Sequence, residues 1–180
     1  MTDEPDRPPS SRRGRWRATA AAVVLLGALA LVAGCGSGAS VATIGAPAPP
    51  ITGTTLDGSE LDLAAYRGQP IVVNFWASWC TPCRNEFPVL ADALSAHEED
   101  GMALVGVLFK DDPAPATAFV DDFGATWPTV DDPDDAAAGA YRVVAPPQTY
   151  FIDAEGIVRG IHIGELLPED FERQWKKIAP

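Results

Sequence analysis

The chain has 180 residues and a formal net charge of −12, with 25 acidic residues against 13 basic ones. This length suits one folded domain together with a targeting segment. Because the chain is so acidic, it should repel nucleic acid and anionic lipid head groups. We therefore expect no nucleic-acid partner.

The first 34 residues have the pattern of a secretory signal peptide. Arginines precede the uncharged run "ATAAAVVLLGALALVAG" (18–34), which is short of the ~20 apolar residues that cross a bilayer comfortably. The run ends in "LVAGC", which resembles the lipobox of bacterial lipoproteins. The resemblance implies cleavage before Cys35 and a diacylglycerol on its sulfur; an uncut signal anchor is the alternative. Cleavage leaves 8 basic and 22 acidic residues, a net charge of −14.

The next segment, residues 36–50, is rich in Gly, Ser, Ala and Pro. Such a composition is typical of an extended tether without a core. We therefore expect residues 35–50 to form a lipidated linker and residues 51–180 to form the folded domain.

The first predicted elements of this domain lead to a pair of cysteines. "TGTTLDGSELDL" (52–63) has a turn signal at Asp57-Gly58 and predicts a hairpin. "PIVVNFWAS" (70–78) is typical of a strand buried on both faces. The segment after it, which contains Cys80, has apolar residues at helical spacing from Cys83 onwards.

Strands and helices continue to alternate towards the C-terminus. "MALVGVLF" (102–109) predicts a second buried strand, and residues 113–124 and 134–141 predict two helices. "QTYFIDAEGIVRGIHIG" (148–164) predicts a hairpin, and residues 168–178 an amphipathic helix. This order indicates an α/β sandwich with a mixed β-sheet flanked by helices, the layout of a thioredoxin fold with an N-terminal β-hairpin and an inserted helical region.

The two cysteines of "WCTPC" (79–83) are open to three interpretations: a metal site, a structural disulfide or a redox pair. A zinc site usually needs four ligands and paired cysteine motifs, whereas this motif stands alone. A disulfide across two residues gains little from loop closure. We expect neither a metal nor a cofactor.

The redox interpretation has a mechanism. Cys80 would lie at the start of a helix, where free N–H groups and the helix dipole stabilise a thiolate. A lower pKa makes that sulfur a nucleophile towards disulfides. Cys83, one turn later on the same face, is placed to resolve the mixed disulfide, and Pro82 suits a first helical turn because it lacks an N–H.

Here the sequence resembles a known family. "VVNFWASWCTPCRNEFPVL" is similar to the active-site segment of the TlpA/ResA/CcmG (DsbE) family of membrane-anchored, thioredoxin-like thiol–disulfide oxidoreductases. The likeness continues through "GVLFKDD", "PPQTYFIDAEGIVR" and "HIGELLPEDF", which together extend it over about residues 45–178. It implies a reductant at the extracytoplasmic face of the bacterial membrane, which keeps apocytochrome c cysteines reduced with electrons from a membrane partner of the CcdA/DsbD type.

The resemblance also indicates site residues. Trp79, Pro82, Pro147 and Thr149 are expected to form the wall of the active site, with a cis peptide bond at Pro147 in the pattern P-x-T-aromatic; a cis bond at Pro146 is the alternative. Glu86 lies three residues after Cys83 at the edge of the apolar stripe, and its side chain should point back towards the cysteines. Geometry alone leaves an exposed glutamate equally open, but the family has a matching glutamate.

Two positions distinguish this chain from common patterns. Asn74 stands where ordinary thioredoxins carry a buried aspartate, and its amide cannot shuttle a proton. This favours the specialised reductants over general thioredoxin. Pro146 has no N–H, so one substrate hydrogen bond that is usual in the fold cannot form.

Other functions are less consistent with the motif. A general extracytoplasmic disulfide reductase or repair protein remains open, because specificity lies in surfaces that the sequence does not reveal. A thioredoxin-fold peroxidase would carry T-x-x-C, and no threonine lies three residues before Cys80 or Cys83. A copper carrier of the Sco type would need C-x-x-x-C.

Overall fold

The computed structural model describes residues 41–180, so the expected signal peptide, Cys35 and most of the linker lie outside the described residues. In this range the strands are β1 (Thr52–Thr54), β2 (Glu60–Asp62), β3 (Ile71–Trp76), β4 (Ala103–Leu108), β5 (Thr129–Val130), β6 (Gln148–Ile152) and β7 (Val158–Ile163). The α-helices of the same range are α1 (Thr81–Ala96), α2 (Pro113–Phe123), α3 (Ala136–Ala140) and α4 (Pro168–Trp175), and a 3-10 helix spans Leu63–Tyr66. Within residues 41–180, no helix has both the length and the apolar character needed to cross a bilayer.

The central sheet has five strands in the order β5-β4-β3-β6-β7. Strand β3 runs parallel to β4, and β4 parallel to β5, whereas β6 pairs antiparallel with both β3 and β7. Strands β1 and β2 form a separate antiparallel hairpin. The predicted mixed sheet and N-terminal hairpin are therefore confirmed.

The sheet buries both of its faces, because the side chains of β3 alternate between two apolar clusters. Val72 and Trp76 face the cluster that contains residues of α1, α2 and α4; we call this side the site face. Val73 and Phe75 face the cluster that contains residues of α3 and of the N-terminal segment; we call this side the far face. All six residues of β3 are buried, which fits the near-continuous apolar run in the sequence.

The linker predicted to extend to residue 50 ends earlier. The N–H of Gly45 donates to the carbonyl of Val158 at 2.8 Å, and the N–H of Val158 donates to the carbonyl of Ala46 at 3.0 Å. Ala42 is buried and its N–H donates to the carbonyl of Ala140 at 2.9 Å. Residues 42–49 therefore pack on the domain, since their backbone groups find partners at the start of β7 and the end of α3.

The hairpin lies against the opposite edge of the sheet. The N–H of Leu56 donates to the carbonyl of Thr129 at 2.9 Å, and the N–H of Asp131 donates to the carbonyl of Thr54 at 3.0 Å. Strand β5 has only two residues and is not among the elements that the sequence pattern predicts. Its position beside β4 is stabilised from both sides, by β4 and by the hairpin.

Candidate active site

Cys80 and Cys83 form a disulfide at the N-terminus of α1. Cys80 is the N-cap residue in an extended conformation, and its sulfur accepts a hydrogen bond from the N–H of Cys83 at 3.2 Å. Pro82 lies in the first turn, where its missing N–H leaves no donor unsatisfied. Cys80 retains 4% exposure and Cys83 none, so substrate can reach the first sulfur more readily than the second.

The helix that carries the cysteines is fixed by aromatic packing on the site face. The ring of Phe87 lies 4.9 Å from that of Trp76 and 4.7 Å from that of Phe119. Pro88 lies within α1 and is exposed, so it does not disturb this contact. Trp76 is fully buried and belongs to the core. The start of α1 is thus held against a rigid base.

Glu86 is fully buried on the same helix, one turn after Cys83. Its Oε1 accepts a hydrogen bond from Asn74 Nδ2 at 2.8 Å, and its Oε2 accepts one from the N–H of Leu166 at 2.8 Å. Burial raises the pKa of Glu86 from 4.5 to about 7, although both hydrogen bonds oppose this rise. The helical pattern predicts Glu86 at the edge of the apolar stripe, but the structure places it inside.

Strand pairing brings Asn74 and Thr149 to this acid. The two residues lie opposite each other in the β3–β6 pair, and Asn74 Nδ2 donates to Thr149 Oγ1 at 3.0 Å. Both are fully buried. The sequence singled out Asn74, Glu86 and Thr149 separately, and the structure joins them into one network. Their link could not be read from local spacing, because Thr149 lies 75 residues after Asn74.

The segment before β6 contributes the cis peptide bond between Pro146 and Pro147, at the position where the sequence pattern placed it. Pro147 is buried and Pro146 half-buried. The carbonyl of Pro147 accepts a hydrogen bond from the N–H of Gly164 at 2.9 Å. Gly164 belongs to the β7–α4 loop, which also contains Leu166. This loop therefore contacts both the cis-proline segment and the acid on α1.

Trp79 is the exposed side chain next to the disulfide, with 58% of its surface accessible. Its Nε1 donates to the carbonyl of Lys110 at 3.2 Å. The indole borders a cavity of about 430 Å³ whose other lining residues include five aspartates: Asp111, Asp112, Asp131, Asp132 and Asp135. Across residues 41–180, no group of three or more His, Cys, Asp or Glu side chains is arranged to hold a metal ion.

Comparison with known proteins agrees with this geometry. The AhpC/TSA family matches residues 44–161. The chain is 34% identical over 137 residues to the thiol-disulfide oxidoreductase ResA of Geobacillus kaustophilus, and the match covers 76% of this chain and 79% of that protein.

Solved structures show the same fold. A putative thiol:disulfide interchange protein DsbE from Chlorobium tepidum matches with a TM-score of 0.69 at 28% identity, over 76% of this chain and 96% of that chain. A secreted Mycobacterium tuberculosis disulfide oxidoreductase homologous to E. coli DsbE matches with a TM-score of 0.63 at 25% identity, over 69% and 92%. The predicted thioredoxin fold is therefore confirmed. The chain belongs to the AhpC/TSA family and, within this thioredoxin-like family, to the TlpA/ResA/CcmG group of thiol-disulfide oxidoreductases.

Proposed function

We propose that this oxidoreductase acts outside the cytoplasm as a reductant of cysteine pairs in exported polypeptides, with apocytochrome c as the first candidate substrate. The observation that carries the proposal is the Cys80–Cys83 pair at a helix N-terminus, one turn from a buried Glu86 whose pKa is raised to about 7. A dithiol supplies two electrons, and an acid that titrates near neutrality accepts and returns protons at working pH.

The reaction begins with the reduced protein. The Cys80 thiolate, stabilised by the helix N-terminus, has released its proton to solvent; it attacks one sulfur of the substrate disulfide and displaces the other as a thiolate, which takes a proton from solvent. Cys83 loses its proton to Glu86 and attacks Cys80 in the mixed disulfide. The second substrate sulfur leaves and takes the proton back from Glu86. The substrate gains two electrons and two protons, and the protein is left as the disulfide.

The remaining site residues have proposed roles around this exchange. We infer that Trp79 and Pro82 border the reactive sulfur of Cys80 and that Pro147 and Thr149 form the opposite wall. A substrate strand would lie along the cis-proline segment, where Pro146 offers no N–H for pairing. We infer that side-chain contacts contribute more to substrate choice here than in thioredoxins that retain this donor.

The location of the protein is part of the proposal. The secreted Mycobacterium tuberculosis relative supports a site outside the cytoplasm, and the lipobox-like "LVAGC" supports an anchor at Cys35 after removal of residues 1–34. Electrons would come from a membrane partner of the CcdA/DsbD type. In cells fed a palmitate analogue, wild-type protein should be labelled and the Cys35→Ala variant should not. Equal labelling of both would remove the lipid anchor.

Trapping tests the thiol chemistry. Reduced Cys83→Ser protein should hold a substrate peptide as a mixed disulfide on Cys80, because the resolving thiol is gone, and reduced Cys80→Ser protein should hold none. The peptides to compare are an oxidised C-x-x-C-H peptide, the haem-attachment pattern, and a scrambled peptide of the same composition. Faster reduction of the first supports an apocytochrome role. Equal rates would favour a general disulfide reductase, and trapping on Cys83 alone would reverse the assignment.

The direction of electron flow has its own measurement. A reductant should have a potential closer to that of thioredoxin, about −270 mV, than to that of a strong oxidant, about −120 mV. Equilibration of the Cys80–Cys83 pair with dithiothreitol or glutathione buffers gives the value. A potential above roughly −180 mV would indicate an oxidase or isomerase.

A further inference from the structure

Asn74 is a fully buried, uncharged side chain whose amide contacts both Glu86 and Thr149. Its Nδ2 donates to Glu86 Oε1 at 2.8 Å and to Thr149 Oγ1 at 3.0 Å. Its Oδ1 has no hydrogen-bond partner in the part of the chain that the structure describes. The amide therefore uses its two N–H groups and not its acceptor, so its interaction with Glu86 is that of a donor to a carboxylate.

The direction of this donor is set by the sheet. Asn74 and Thr149 are opposite residues on the paired strands β3 and β6, and the contact with Thr149 uses one of the two N–H groups. The second N–H is left facing α1. The other oxygen of Glu86 is bound by the backbone of Leu166, so Asn74 is the side-chain donor that a substitution can remove.

We propose that Asn74 is a positioning residue: oriented by Thr149, its amide holds the Glu86 carboxylate one helical turn from Cys83 and stabilises its ionised form. The consequence for disulfide exchange rests on the proposed function, but the contact can be measured without turnover. A hydrogen bond to the charged form favours that form. Leucine at position 74 would remove the donor at similar size, and aspartate would place a second acid against Glu86.

The other titratable groups around Glu86 are few. Glu165, next to Leu166, raises the pKa of Glu86 by its negative charge, and His162 on β7 contacts the Glu165 carbonyl oxygen through Nε2 at 3.0 Å. Asn74 and Thr149 carry no charge. On α1, Arg84 lies two residues before Glu86 and Cys83 lies three residues before it. Cys83 and the N-cap residue Cys80 do not titrate while they form the disulfide. In the oxidised protein the titration of Glu86 can therefore be measured without interference from the titration of the cysteine thiols.

The experiment is an NMR pH titration of the oxidised full chain labelled with ¹³C at glutamate carboxyl groups. In Asn74→Leu the pKa of Glu86 should rise by about one pH unit or more, because a hydrogen bond to a charged group is among the stronger ones in proteins. In Asn74→Asp the two acids should titrate in two separated steps. The matched control is Asn85→Leu, on the same helix, whose amide donates to Glu165 and not to Glu86; we expect a change below about 0.3 pH unit, the scale of an exposed contact.

An unchanged Glu86 titration in both Asn74 variants would overturn the proposal, as would an equal shift in the Asn85 control. If Asn74→Leu does not fold, the nearly isosteric Asn74→Asp decides by whether its titration splits. The two proposals fail separately. A wild-type protein that reduces no peptide, together with a shifted titration in Asn74→Leu, would reject the proposed function and leave Asn74 in its role.

Discussion

Two buried polar networks lie on opposite faces of strand β6, and only one of them contains an acid that titrates near neutral pH. Side chains alternate along a strand, so Thr149 points to the site face whereas Gln148 and Tyr150 point to the far face. The site-face network consists of Asn74, Glu86 and Thr149, and the far-face network of Tyr141, Gln148 and Tyr150. Both networks are buried against the same sheet. They differ mainly in their titratable group, which is a carboxyl group on the site face and phenols on the far face.

The far-face network consists of neutral groups. Gln148 Nε2 donates to the hydroxyl of Tyr150, which donates to the carbonyl of Tyr141, and the Tyr141 hydroxyl donates to the carbonyl of Pro49 at 2.8 Å. Burial raises the pKa of Tyr150 to about 12 and raises that of Tyr141 as well. The same effect brings the pKa of Glu86 to about 7. Desolvation therefore keeps the two phenols protonated at neutral pH, whereas it moves the titration of the Glu86 carboxyl group to neutral pH.

The largest expected effect is on the pH dependence of stability. Glu86 has a higher pKa in the folded chain, about 7, than its ordinary value of 4.5, so the folded protein binds this proton more tightly. Its contribution is complete below pH 4.5 and is lost as the pH rises through 7. Relative to Glu86→Gln, the free energy of unfolding of the wild type should fall by about 3 kcal/mol across this range.

Urea unfolding of the oxidised proteins between about pH 4 and about pH 8, a range that spans the ordinary pKa of Glu86 at 4.5 and its folded value of about 7, measures this difference. Tyr150→Phe should retain the wild-type pH profile, because it leaves the titrating acid in place. Parallel profiles for wild type and Glu86→Gln would show that Glu86 titrates at its ordinary value, and the contrast between the two networks would disappear.

The second effect is on the rate of exchange. Glu86→Gln keeps the shape of the side chain and removes proton transfer, so single-turnover reduction of a peptide disulfide should slow by about 100-fold. Removal of a negative charge near the thiols should also lower the cysteine pKa values, which pH-dependent alkylation detects. Tyr150→Phe should change the rate by less than about twofold, since it contacts no reacting group. A Glu86→Gln protein with the wild-type rate would restrict the acid to a structural role.

The smallest effect is the stability of the far-face network. Tyr150→Phe removes one hydroxyl that bridges Gln148 and the carbonyl of Tyr141, so we expect a loss of about 1 kcal/mol in the free energy of unfolding. Because phenols with raised pKa values stay neutral, this loss should be the same at pH 5 and at pH 8. A loss that grows with pH would mean that a tyrosine ionises in this network.

The contrast also explains which features could be predicted from sequence. Strand β4 is a continuous apolar run and β3 is one interrupted only by Asn74, and the helix after Cys80 has Pro82 in its first turn, so local patterns were sufficient for these elements. Burial of Glu86 was not predicted, because its donors come from Asn74, 12 residues earlier, and Leu166, 80 residues later. A polar residue at the edge of a helical stripe can be buried only when such distant partners are present.

Two segments were missed for a different reason. Strand β5 has two residues, too few to show a periodic pattern, and it is defined by its neighbours in the sheet. Residues 42–49 have the composition of a tether, yet backbone hydrogen bonds to β7 and α3 hold them on the domain. Amino-acid composition describes side chains, whereas these hydrogen bonds join backbone groups that every residue type except proline has in full. Composition therefore does not predict them.

The N-terminal part of the domain has a consequence for self-association. Exposed sheet edges pair with other chains and promote aggregation. The hairpin pairs with the free edge of β5, and residues 45–47 pair with the start of β7. Farther along β7, the exposed Arg159 places a charge on the strand. A chain that begins at residue 51 would keep the hairpin on β5 and lose residues 45–47 from the start of β7. Its Cys80–Cys83 chemistry would be retained, but the exposed edge of β7 could then pair with other copies of the protein.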